Sequence, residues 1–200
     1  MTLNLYLVRH GLIKANVSRV WHGSTDSPLL WRGRRQAKRL GKYLARTLPK
    51  LDAVYSSPLQ RCQRTAQLGT GYAGCDTTTL DGLAEMSVGE WEGAAFKWLV
   101  EEHDFMQRLT TDLDYAAPQG ESLKQVAQRT TAALAHIRAT HETGTVVAVS
   151  HGIALAVMLA ATMDDDIRRW HDYQFSNCSL THLRFDPKPA LLTLNQTFHL

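Results

Sequence analysis

Leu3-Asn4-Leu5-Tyr6-Leu7-Val8-Arg9-His10-Gly11 decides the reading of this chain. Its first six positions form a largely apolar run of strand length, and the run delivers an arginine, a histidine and a glycine to its own C-terminal end. Open α/β sheets collect their chemistry at that end of their strands. A histidine at a strand end is more often a hydrogen-bonded structural residue than a nucleophile, so the triplet acquires meaning only through partners further along the chain.

Partners follow in order. Ser56-Ser57-Pro58-Leu59-Gln60-Arg61-Cys62 comes directly after the short apolar segment Ala53-Val54-Tyr55. Leu83-Ala84-Glu85-Met86-Ser87-Val88-Gly89-Glu90-Trp91-Glu92-Gly93 comes next, then Gly120-Glu121-Ser122. Last, Val146-Val147-Ala148-Val149-Ser150-His151-Gly152 repeats the opening pattern of an apolar strand that ends in a histidine and a glycine.

Between these motifs the chain alternates strand and helix. The spacing predicts a strand over Leu3 to Val8, a loop over Gly11 to Leu30, and a helix from Trp31 to Thr47 that Pro49 follows. A strand over Asp52 to Ser56 then leads into a helix with Pro58 in its first turn, where a missing N–H does no harm. A further strand is expected over Thr77 to Leu80. Ser122 to Gln125 reads as a capping box ahead of Leu123, Val126, Ala127, Thr130, Leu134 and Ile137 at helical period. Thr145 to Val149 is apolar on both faces, as a central parallel strand should be. Ser179 to Phe185 and Leu191 to Thr197 read as an edge hairpin turning across Asp186-Pro187-Lys188-Pro189. The expected fold class is α/β: a three-layer α/β/α sandwich with a mostly parallel central sheet, in one domain over residues 1–200. Glu92 to Ala117 is the least regular stretch, and residues 86–120 are expected to form a lid-like insertion over the site.

Composition bounds the function. Two hundred residues at 44% apolar content can bury a substantial core, and a formal charge of +3 contains no block of like charge that would argue for nucleic acid or a membrane surface. Arg32, Arg34, Arg35, Lys38 and Arg39 are the densest cluster, and they oppose Ala37, Leu40 and Leu44 on one helix, as a solvated face does. Three cysteines without C-x-x-C spacing fit neither a disulfide framework nor a zinc knuckle. No basic leader opens the chain and no apolar run reaches membrane length, so the expectation is a cytoplasmic, soluble protein.

The ordered motifs resemble the histidine phosphatase superfamily, the phosphoglycerate-mutase-like fold, from about Leu3 to about Leu194. That resemblance implies a metal-independent phosphomonoesterase with no cofactor, acting on small-molecule phosphate esters through a phosphohistidine. Cofactor-dependent phosphoglycerate mutase and α-ribazole phosphatase are alternatives within the family, and a silent binding module is one outside catalysis. His10 would be the nucleophile, Arg9, Arg61 and His151 would bind the phosphoryl oxygens, and Glu85 would be the acid and base. Such a site must surround a phosphoryl group, whose charge spreads over three oxygens, with fixed donors. Arginine suits this because its planar fork donates two bonds at once and stays charged. Neighbouring guanidinium groups also favour the neutral imidazole of a nucleophile. Asn16 is expected to contact phosphate, and Ser57 to be either a contact or a helix cap. Gly152 should offer a backbone N–H at a helix start, where an anion is favoured.

His22 lies in the first loop as a candidate specificity contact, whereas the other histidines, His171 among them, read as surface or packing residues. Trp21, Trp91 and Trp98 are candidate pocket walls. Leu12-Ile13 stands where relatives often carry Glu-Thr or Gln-Thr, which makes the mouth of the site more apolar. The stretch after Glu85 is shorter than in the cofactor-dependent mutases, and a compact lid favours hydrolysis. The C-terminal hairpin leaves an edge that a second subunit could cover in a homodimer.

Overall fold

The computed structural model describes residues 2–48 and 50–200, so Met1 and the helix-following Pro49 lie outside the described residues. The elements are β1 (Leu3–Arg9), α1 (Lys14–Ser18), α2 (Trp31–Thr47), β2 (Ala53–Ser56), α3 (Gln60–Thr70), β3 (Thr77–Thr79), α4 (Phe96–Glu101), α5 (Phe105–Thr111), α6 (Leu123–Thr140), β4 (Gly144–Ser150), α7 (Gly152–Leu159), β5 (Leu180–Asp186) and β6 (Lys188–Gln196).

The six strands make one sheet in the order β3-β2-β4-β1-β5-β6. The first four run parallel, and β5 and β6 join antiparallel. Helices cover both faces. Leu5, Leu7, Val146 and Ala148 point to the side of α6 and α7, whereas Val8, Val147 and Val149 pack with Leu40, Leu44, Cys62 and Ala66 of α2 and α3. Burial on both faces is why β1 and β4 are apolar at successive positions rather than at alternate ones. Truncating Leu5 or Leu7, both fully buried, to alanine would cost about 2–5 kcal/mol.

Local chemistry explains several boundaries. Ser122 caps α6 as the capping box predicts: Gln125 N donates to Ser122 Oγ at 3.3 Å, and Ser122 N donates to Gln125 Oε1 at 2.9 Å. Pro58 falls before the N-cap residue Leu59, two positions ahead of the first residue of the helix whose first turn it was expected to occupy. The hairpin turns at Pro187 alone, so Lys188, Pro189 and Ala190 belong to β6. Proline is tolerated there because β6 is an edge strand. The first loop contains the short helix α1, which ends on Arg19 in the left-handed region at φ 52°. Among the described residues no helix is long and apolar enough to cross a membrane, and Cys62, Cys75 and Cys178 are free thiols.

Candidate active site

Register assembles the centre. β1 lies beside β4 with Arg9 opposite Ser150, so the next residues, His10 and His151, leave the sheet side by side. His10 N donates to Ser150 O at 3.0 Å, and the two imidazole rings stand 5.1 Å apart at 60°. On the far side of β4, β2 delivers Ser57 to the same edge, and its N donates to Val149 O at 2.9 Å. The helix that follows places Arg61 in its first turn and Thr65 one turn on. Gly11 N donates to Thr65 Oγ1 at 3.0 Å. Gly11 itself is required by close approach, since a Cβ there would stand 2.7 Å from Gly33 O.

His10 is only 3% exposed, and its Nδ1 lies 2.8 Å from Gly11 O. A carbonyl can only accept, so Nδ1 carries the proton and the lone pair is on Nε2. Burial holds His10 well below the ordinary imidazole range, and the Arg9 and Arg61 guanidinium groups push the same way, against the Gly11 hydrogen bond. His151 is depressed by burial first, then by His10, Arg61 and Arg9. Its tautomer is set by arginine, a group without an acceptor: Arg61 Nε donates to His151 Nδ1 at 3.2 Å, so the proton sits on Nε2 and points at Ser57 Oγ, 2.7 Å away. Ser57 therefore orients His151, and its second bond, from Leu59 N at 3.3 Å, ends in the turn before α3 rather than capping it.

Glu85 comes to this edge from the segment between β3 and α6. Its carboxylate accepts from Ala154 N at 3.0 Å, Ile153 N at 3.3 Å and Met86 N at 3.0 Å. The anion expected at the start of α7 is thus partly supplied by the chain itself. Of the positions considered there, Gly152 lines the cavity, whereas the next two N–H groups are taken by Glu85.

These residues open onto a cavity of about 690 Å³, with Arg9, His10, Asn16, Glu85 and Gly152 among its lining. Arg9 Nη1 donates to Phe175 O at 2.5 Å, whereas its buried Nε has no partner among the described residues. Asn16 Oδ1 accepts from Ile13 N at 3.2 Å and Asn177 Nδ2 at 3.1 Å. His22 lines the wall with its Nδ1 2.7 Å from Ser27 Oγ. Arg61, His151 and Ser57 are fully buried behind His10 and do not line the cavity. The Arg61 fork is occupied by carbonyls of the first loop: Thr25 O at 2.7 Å, Gly23 O at 2.7 Å and His22 O at 3.3 Å.

The walls differ in part from expectation. Trp21 and Ile13 line the cavity, but Trp91 and Trp98 pack edge to face against each other and around His103, away from it. Their place is taken by Trp170, Tyr173 and Phe175 from the connection between α7 and β5, together with His171, which is a cavity residue rather than a bystander. Sequence reasoning also missed Asn177, whose Nδ2 ties His10 O at 3.1 Å and Asn16 together. It missed Arg129 as well, which grips the backbone around Glu85 through the carbonyls of Gly82, Ala84 and Glu85. The only advance signal for that grip was Glu121 in the quoted Gly120-Glu121-Ser122 motif, which pairs with Arg129 at 2.7 Å. Among the described residues no group of three histidine, cysteine, aspartate or glutamate side chains is placed to hold a metal ion.

Comparison with known proteins agrees with the geometry. The sequence matches the model of the histidine phosphatase superfamily (branch 1) over residues 5–197. A protein of Citrobacter koseri named probable phosphoglycerate mutase GpmB is 33% identical over 185 residues, covering 92% of this chain and 85% of that one. The phosphoserine phosphatase of Entamoeba histolytica, solved in complex with 3-phosphoglyceric acid, superposes with a TM-score of 0.88 at 27% identity over 99% of each chain. A mycobacterial glucosyl-3-phosphoglycerate phosphatase complexed with VO3 gives 0.86 at 26% identity, over 96% of this chain and 98% of its own.

Proposed function

The chain belongs to the histidine phosphatase superfamily, branch 1, and on that premise we propose that it hydrolyses small phosphate monoesters through a phosphohistidine on His10. The observation that carries this reading is the bond from His10 Nδ1 to Gly11 O, which leaves Nε2 unprotonated at the base of a cavity lined by Arg9. A neutral imidazole is a nucleophile; its conjugate acid is not. The direction of the His10 shift keeps it neutral across the physiological range.

The step balances simply. The Nε2 lone pair forms the N–P bond as the P–O bond to the alcohol breaks in line, and Glu85, which lines the same cavity, relays the proton of the monoanionic ester to the leaving oxygen. Water then attacks phosphorus, Glu85 takes its proton and returns it to the departing inorganic phosphate, and His10 is restored. Arg9 offers guanidinium donors to the equatorial oxygens. Arg61 contributes its charge from behind His10 and holds the tautomer of His151, because its own N–H groups are engaged with the first loop. Residues 86–120, which bring Phe96 and Met106 to the cavity, serve as the insertion over the site.

Hydrolysis is preferred to mutase activity because the stretch after Glu85 is compact, whereas a mutase must shield its phosphohistidine from water and rephosphorylate a retained intermediate. The test is phosphate release from a panel of monoesters in EDTA, with His10→Ala beside the wild-type protein. Release that persists in EDTA and is abolished by His10→Ala, with inorganic phosphate still bound by the variant, supports the phosphohistidine route. Release near wild type from the variant removes His10 as nucleophile. Isomerisation of 3-phosphoglycerate on adding 2,3-bisphosphoglycerate, without net release, would transfer the assignment to the mutase.

A further inference from the structure

The cavity combines two unlike sets of lining residues: Arg9, His10 and Glu85, and the rings of Trp21, Phe96, Trp170 and Phe175 with Ile13 and Met106, Phe175 standing beside Arg9 through the bond its carbonyl accepts. Phe96 lies nearly parallel to Trp21, with centroids 6.1 Å apart at 10°, and it is 41% exposed. A large aromatic surface left in water beside a polar base marks a ligand-binding wall. The volume, about 690 Å³, falls in the range that encloses a drug-sized molecule and far exceeds what a three-carbon phosphate fills.

The charges point the same way. Glu85 is the one carboxylate among the lining residues, and both its oxygens already accept backbone N–H groups. Its charge is shared with those backbone groups, so an ammonium on the alcohol would gain only part of a counter-ion for the water it sheds. Beyond Arg9 the lining guanidinium is that of Arg19, an exposed residue at the left-handed end of α1. Its pull on a substrate carboxylate is screened by water and worth little.

Resting on the phosphatase reading above, we propose that this site selects phosphate esters of bulky, largely apolar alcohols, flat or aromatic in shape and without an ammonium group. Compact, doubly charged metabolites such as phosphoserine are poor substrates. Planar rings stack on the Trp21–Phe96 wall, and the apolar area they remove from water appears in kcat/KM.

The deciding experiment compares esters whose leaving oxygens are all primary alkoxides, so that leaving-group chemistry cancels: 2-(1-naphthyl)ethyl phosphate, ethyl phosphate, glycerol 3-phosphate and phosphoserine. The expected result is a kcat/KM for the naphthyl ester about 100-fold above that for phosphoserine or ethyl phosphate, in line with tenfold or more for each well-packed methylene-sized group. Phe96→Ala, at a position too exposed to threaten the fold, should lower the ratio of naphthyl to ethyl ester at least tenfold. Hydrolysis of all four esters with phosphoserine or glycerol 3-phosphate preferred overturns this selection and leaves the phosphatase reading standing. An unchanged ratio in Phe96→Ala overturns the assigned wall. No release from any of the four overturns both readings.

Discussion

Arg61 and Glu92 hold opposite sides of one loop: the guanidinium takes the carbonyls of His22, Gly23 and Thr25, while the carboxylate takes the N–H groups of Gly23, Ser24 and Thr25. The loop has no regular structure of its own to satisfy these groups, so two side chains of opposite charge do it. His22, which lines the cavity, is carried by this clamp.

Glu92→Gln tests the acidic side. Burial alone would raise the Glu92 carboxyl, but the hydrogen bonds from Thr25, Ser24 and Val88 outweigh it and hold the group below the ordinary glutamate value. Glutamine keeps one acceptor oxygen and turns two donors toward backbone donors. Urea unfolding at pH 7 should show a loss of about 1–3 kcal/mol, and KM should rise more than kcat falls. A group with a lowered folded value stabilises fully above its unfolded value and loses that contribution as pH falls through the folded one. The gap between the two proteins should therefore be flat from pH 6 to 8 and narrow as pH falls below the unfolded glutamate value of about 4.3. A gap that persists undiminished at acid pH would show that the charge of Glu92 is not what holds the loop.

The paired imidazoles make a second pH prediction of opposite sense to the usual acid stabilisation of histidine. Burial lowers both His10 and His151, and Arg9 and Arg61 reinforce it. The unfolded chain then binds protons near pH 6.5 that the folded protein refuses, so stability falls as pH drops below that value. Each histidine contributes a slope of up to about 1.4 kcal/mol per pH unit. His151→Gln should remove one such slope between pH 6.5 and 5, read by urea unfolding at several pH values. His182 and His199 are lowered too, chiefly by burial, but they are common to both proteins and cancel in the difference. Parallel profiles for variant and wild type would contradict a neutral, buried His151.

What could be read in advance follows from where the physics is local. β1 and β4 were legible because strands covered on both faces must be apolar throughout, and α6 because Ser122 and Gln125 satisfy its first N–H groups within four residues. Arg9, His10, Arg61 and His151 stand out because they fall in ordered motifs at or just after strand ends, and the register of β1, β4 and β2 brings those ends to one edge of the sheet, which Glu85 reaches from the segment after β3. Trp170, Phe175 and Asn177 do not, because the stretch that carries them, a 3-10 turn over Ile167–Asp172 and the irregular residues after it, has no period to read. Nor did α1 show: five residues behind an apolar N-cap, Ile13, have no amphipathic spacing, and the side chain that marks their start is Asn16, reaching back to Ile13 N. Trp91 and Trp98 misled because an aromatic near a motif reads the same whether it faces a cavity or, as here, another ring.

Glu85→Gln separates proton transfer from positioning. The amide is nearly isosteric and its oxygen can keep one of the bonds from the start of α7, so the loop geometry should survive. Alkyl phosphates, whose alkoxide must be protonated as it leaves, should slow by about 10²–10⁴. Activated aryl phosphates, which leave without a proton, should slow less than tenfold in the phosphorylation step, read as the burst of phenol in rapid mixing. Equal losses on both classes would show that Glu85 only orders the start of α7.

Arg129 supplies the last prediction, because Glu85 owes its position to it. Its guanidinium donates to Gly82 O at 3.1 Å, Ala84 O at 2.6 Å and Glu85 O at 3.1 Å, while Glu121 grips it from the other side at 2.7 and 2.9 Å and also accepts from Ser87 N at 2.9 Å. The backbone on both sides of Glu85 is thus tied to α6 through one planar fork. Lysine keeps the charge but, as a compact ammonium, cannot span three carbonyls and a carboxylate in one plane. Arg129→Lys should therefore leave the protein folded, slow alkyl phosphates about tenfold or more, and spare activated aryl phosphates, reproducing in weaker form the leaving-group pattern of Glu85→Gln. In the double variant Arg129→Lys with Glu85→Gln, the alkyl-ester losses should fall short of multiplying, as expected when one residue acts through the other. Fully multiplicative losses, or equal losses on both ester classes, would reduce Arg129 to a general support of the fold.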